Sequence, residues 1–131
     1  MSDFLQPAGW PRPSGYAHGV AAEGRYVALA GQIGWNERRE FISDDLAQQA
    51  AQALRNIVAI LGEAGAQPKH LVRLTWYVTD KREYLASIEQ IGALYRDIVG
   101  KHYPAMTLVE VRALLEDRAK VEIEATAVVP L

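Results

Sequence analysis

The run KVEIEATAVV, residues 120–129, alternates so strictly that it restricts the chain to a small set of folds. In an extended strand Val121, Ile123, Ala125 and Ala127 share one side, and Glu122, Glu124 and Thr126 share the other. A sheet built on such a strand has one apolar face that must be covered and one polar face that need not be. Helices supply the cover. From Leu46, apolar residues fall at positions 46, 50, 53, 54, 57, 58 and 61, an amphipathic stripe preceded by the N-cap candidates Ser43, Asp44 and Asp45. A second stripe of Tyr84, Ile88, Ile91, Tyr95 and Ile98 predicts one helix over 81–99, closed by Gly100.

Three other segments read as strands. In HLVRLTWYVTD, residues 70–80, Val72, Leu74, Trp76 and Val78 alternate with Arg73, Thr75 and Tyr77. In HYPAMTLVEV, residues 102–111, Tyr103-Pro104 makes a turn, after which Thr107, Val109 and Val111 alternate with Leu108 and Glu110. YAHGVAAEGRYVALAG, residues 16–31, reads as two short strands joined at Glu23-Gly24, a hairpin. Pro7, Gly9, Pro11, Pro13 and Gly15 predict an irregular arm over 1–15, leaving one domain over 16–131. With no repeat and no linker, the fold class is α+β, with both helices on the apolar face of one sheet.

Composition narrows the function. A net charge of -2, with fourteen scattered Lys and Arg, leaves no basic footprint for nucleic acid. The absence of cysteine removes disulfides, thiolate metal sites and cysteine nucleophiles together. His18, His70 and His102 lack metal-ligand spacing, so no metal is expected, and without a phosphate-binding loop no cofactor is expected. The N-terminal stretch has no basic region followed by an apolar run, and no window approaches the roughly 18 apolar residues of a membrane span. A cytoplasmic location is therefore expected. By elimination, carboxylates, tyrosines and backbone amides are the chemical groups available. Glu122 and Glu124, about 7 Å apart along a strand, suit either an acid/base pair with split pKa values or an ordinary charged surface. Tyr16 and Trp35 suit either core anchors or pocket walls.

Four blocks in order, SGYAHGV, ALAGQIG, LTWYVTD and YPAMTLVEV followed by AKVEIEATAVV, resemble the RidA (YjgF/UK114) family, also known as the endoribonuclease L-PSP family, over 16–129. The resemblance implies a chorismate-mutase-like fold with a mixed sheet, and a homotrimer with clefts between subunits. It implies hydrolysis of reactive imines or enamines to a 2-oxo acid and ammonia, although some members have been described as endoribonucleases. It places a pocket tyrosine at Tyr16, a pocket-lining backbone at Gly31, Gln32 and Ile33, and a water-positioning carboxylate at Glu122. Two positions depart from the family pattern. The carboxylate-binding arginine of Pro-Ala-Arg falls on Met106, followed by Thr107, and a pocket asparagine falls on Ile88.

An arginine forks two N–H groups onto a carboxylate, whereas methionine has no donor to offer. Arg112 lies about 20 Å further along an extended strand, Arg73 lies on another strand, and neither Lys101 nor His102 is a convincing substitute. The expected function is therefore hydrolysis of neutral or less polar imines, enamines or related small metabolites. Non-catalytic binding of a small molecule in a cleft formed by Met106, Ile88 and Trp35 is the alternative. The charge balance opposes ribonuclease activity.

Overall fold

The computed structural model describes residues 2–131. In chain order its elements are β1 (Ser2–Leu5), β2 (Gly19–Ala22), β3 (Arg25–Ile33), α1 (Leu46–Glu63), a 3-10 turn at Pro68–His70, β4 (Leu71–Val78), α2 (Lys81–Ala86), α3 (Ile88–Ile98), β5 (Ala105–Glu110) and β6 (Val121–Val129). The main sheet has the order β3-β6-β4-β5. Its pairs are antiparallel except β4 with β5, which run parallel and are joined through α2 and α3.

β6 occupies an interior position between β3 and β4, which is why its alternation is so clean. Val121, Ile123, Ala125 and Ala127 are buried. α1 packs across β3 and β6, and α3 packs against α1. Leu54, Ile57, Leu61, Leu71 and Leu74 are fully buried in the resulting core, each contributing about 1.5–3 kcal/mol by leaving water. Asp45 caps α1 by accepting a hydrogen bond from Gln48 N at 3.1 Å.

The structure differs from the sequence expectations in four places. The segment read as irregular over 1–15, of which residue 1 lies outside the described residues, contains β1, which pairs antiparallel with β2. The strands flanking Glu23-Gly24 do not form a hairpin: β2 joins β1, whereas β3 joins β6. A local turn signal fixes where the chain reverses, but the apolar side of β3 is satisfied only over α1. The helix read over 81–99 is two helices broken at Ser87, so three helices flank the sheet rather than two. Finally, a register shift between Leu71 and Arg73 brings Leu71 into the fully buried core and leaves Val72 half-buried.

Candidate functional site

β5 is one of the two edge strands of the main sheet, and its two central residues face opposite ways. Met106 is in register with the buried Leu74, on the helix side of the sheet, whereas Thr107 is in register with Thr75, on the polar side. On the helix side, a cavity of about 590 Å³ opens between β5 and α3. Met106 and Leu108 form one wall, Tyr16 lies beside them, and Ile88, Gly92 and Arg96 of α3 lie opposite. Tyr16 is held there by its neighbour: Ala17 N donates to Pro104 O at 3.0 Å and forms a parallel bridge with Ala105. Ile88, assigned to the buried stripe from sequence, is 47% exposed because it faces this opening.

The floor is aromatic. Trp76 is only 4% exposed, and its Nε1 has no hydrogen-bond partner among the described residues. Tyr84 meets the Trp76 ring at a steep angle, with centroids 6.3 Å apart. Tyr95 stacks on Tyr103 and donates its hydroxyl to His102 O at 2.6 Å. Burial pushes the Tyr84 and Tyr95 hydroxyls above the ordinary tyrosine range.

The other group of expected site residues lies across the sheet. Glu122 is in register with Ile33 on one side and Tyr77 on the other. Gln32 and Ile33 match Ile123 and Glu122, whereas Gly31 falls in the bulge between Leu29 and Gln32. A Cβ built on Gly31 would overlap the Glu122 carboxylate, so the glycine is what allows that carboxylate to lie on the bulged backbone. Gln32 turns its Nε2 back to Ala30 O at 3.2 Å. Asn56 of α1 holds the turn after β3, donating from Nδ2 to Ile33 O at 3.2 Å and to Trp35 O at 2.8 Å.

Trp35 belongs to neither wall of the cavity. It bridges Phe41, its ring centroid 5.8 Å from that ring, and Arg39 lies 5.7 Å from the indole. Glu122 and Glu124 both point to the polar side but have different neighbours. Tyr77 donates its hydroxyl to Glu124 Oε1, which raises the Tyr77 pKa, and Thr107 lines the same shallow depression as this pair. The two glutamates are thus separately engaged.

Within one chain, Tyr16, Ile88 and Met106 come together, Gly31 and Glu122 come together, and the sheet separates the two sets. Arg96 escapes the sequence reading, although a signal exists: Ile88, Gly92 and Arg96 are spaced by four and lie on one ridge of α3. Among the described residues no group of three or more His, Cys, Asp or Glu is placed to hold a metal, and no helix is long and apolar enough to cross a membrane.

A four-stranded mixed sheet with helices on one face, a separate β1–β2 ribbon and a cavity at the β5 edge define an α+β domain. The family model "Endoribonuclease L-PSP" matches residues 11–129, and the chain belongs to that family, the RidA/YjgF family. It is 34% identical over 116 residues to the 2-iminobutanoate/2-iminopropanoate deaminase of Escherichia coli K12, covering 86% of each chain. It is 33% identical over 129 residues to a RutC family protein of Pyrococcus horikoshii, covering 97% of this chain and 98% of that one. Among solved structures, the Rid family protein YyfB of Yersinia pestis superposes with a TM-score of 0.84 at 36% identity, covering 98% of both chains. The fold is the chorismate-mutase-like α+β arrangement of these relatives.

Proposed function

We propose that this protein is a RidA-type hydrolase of reactive imines or enamines, with a cleft that selects for an apolar substituent instead of gripping an α-carboxylate at position 106. The deaminase named among its relatives supports the reaction class. The observation that carries the reading is the seating of Glu122 on Gly31, which presents a carboxylate beside an irregular stretch of backbone. Glu122 orients a water for attack on the imine carbon, and ammonia leaves after the carbon–nitrogen bond breaks. The bulged backbone at Gly31 stabilises the charge that develops.

Because the sheet separates Glu122 from Met106, the complete site forms where the polar-side surface of one copy meets the cavity side of the next, in a homotrimer. The altered recognition follows from Met106, whose half-buried side chain joins Leu108 in an apolar wall with no donor. Freshly generated imines test the reading through ammonia release. Turnover should favour branched or aromatic substituents over the imine of pyruvate, and Glu122→Gln should stop it; an active Glu122→Gln variant sinks the role. The second reading, binding without catalysis, draws on the apolar cavity and calls for a ligand recovered unchanged.

A further inference from the structure

The cavity that holds Met106 is not devoid of charge. Arg96 is the one charged side chain among its described lining residues, and no carboxylate lines it. Neither ion pair among the described residues, Arg118 with Asp44 and Lys120 with Glu83, involves Arg96. The side chain is exposed at the rim, one helical turn beyond Gly92 and two beyond Ile88. A Cβ on Gly92 would lie 3.4 Å from Arg96 Nη1, so the guanidinium folds back over Gly92 towards the cavity. The glycine leaves open the space that a side chain would fill on this ridge.

Resting on the imine-hydrolase reading above, we propose that Arg96 is the anion-recognition residue of this cavity. It takes the substrate carboxylate from the α3 wall, while Met106 and Leu108 take the apolar substituent on the β5 wall. The substrate class is then an α-imino acid with a branched or aromatic side chain, turned within the cleft so that its carboxylate faces the helix. The charge balance of the site supports this orientation. A guanidinium with no acidic neighbour in the cavity keeps its full capacity for a bidentate contact. An apolar substituent gains more against methionine and leucine than against water.

Stable carbonyl analogues test the proposal without requiring turnover. α-Ketoisocaproate, its uncharged methyl ester and pyruvate are titrated against the protein at low salt by tryptophan fluorescence. The wild type should bind the acid roughly five-fold or more tighter than the ester, in keeping with a rim-exposed ion pair, and should bind pyruvate weakly. Arg96→Gln should abolish the acid-over-ester preference while leaving the ester's affinity and the melting temperature unchanged. Arg96→Lys should retain part of the preference.

An acid-to-ester ratio near one in the wild type, an unchanged ratio in Arg96→Gln, or no binding of either compound would overturn the assignment. The outcomes separate the two claims. A preference that depends on Arg96 in a protein that hydrolyses no imine removes the hydrolase reading and keeps this one. Hydrolysis that is indifferent to Arg96 does the reverse.

Discussion

The carboxylate of Glu122 rests on the backbone of Gly31, in the space where any other residue would place its Cβ. The colliding atoms belong to the end of a flexible side chain. Gly31→Ala should therefore cost little stability, since the roughly 0.5–1 kcal/mol that alanine gains over glycine in a strand offsets the displacement, while swinging Glu122 away from the bulge. Ammonia release should fall by about ten-fold or more with the urea midpoint nearly unchanged. If activity and stability fell in proportion, the glycine would be a folding residue only.

Met106→Arg gives the β5 wall the donor that the family resemblance implies at this position. A charge-assisted contact is worth about 1.5–3 kcal/mol, so hydrolysis of the imine of pyruvate should rise by about ten- to hundred-fold in kcat/KM. Bulkier imines should lose ground because their apolar wall is gone. An unchanged ranking of substrates in this variant would show that residue 106 does not face the substrate.

Gln49 is fully buried and satisfies three backbone groups from two distant segments. Its Nε2 donates to Ser43 O and to Arg118 O, both at 3.0 Å, and its Oε1 accepts from Lys120 N at 2.8 Å. Gln49→Leu leaves all three unpaired and should cost about 3 kcal/mol or more in urea denaturation. Gly34→Ala should also destabilise, because its Cβ would fall 2.7 Å from the Gln49 Cα, which cannot rotate away. Wild-type stability in either variant would show that this junction relaxes freely.

Tyr95 ties the pH response to the cavity floor. Burial raises its pKa in the folded state above the ordinary value of 10.0, so folding favours the protonated phenol. The resulting stability is fully present below the unfolded pKa and is lost as pH climbs above it towards the folded value. Between about pH 9 and about pH 11 the urea midpoint of the wild type should fall more steeply than that of Tyr95→Phe. At neutral pH the variant should be weaker by about 1 kcal/mol for the lost bond to His102 O. Parallel pH curves would mean that the hydroxyl ionises as easily folded as unfolded.

The sheet and α1 were legible in the sequence wherever burial is one-sided, since Ile123 and Glu122 or Leu54 and Arg55 then differ sharply in what they require. The break at Ser87 carries no proline or glycine to announce it. The partner of β2 was hidden because a two-residue turn reports only that the chain reverses, not which strand wins the pairing. The position of Met106 on the cavity lining was legible through its neighbours Pro104 and Ala105. Arg96 was not, because Arg112, Arg73, Lys101 and His102 are the cations of the strands and the turn before β5, whereas the cavity is closed by α3, through a ridge spaced by four.

Met106 and Thr107 are one residue apart, yet a full sheet thickness separates what they touch. Mutations that reshape the Met106 wall are thus screened from the surface that carries Glu122, and the reverse also holds. On the function proposed above, the ligand preference can change by small steps on one side while the carboxylate persists on the other. In the homotrimer proposed above, the Met106 and the Glu122 of one copy then serve different clefts, so a change in either reaches a site that the other does not complete.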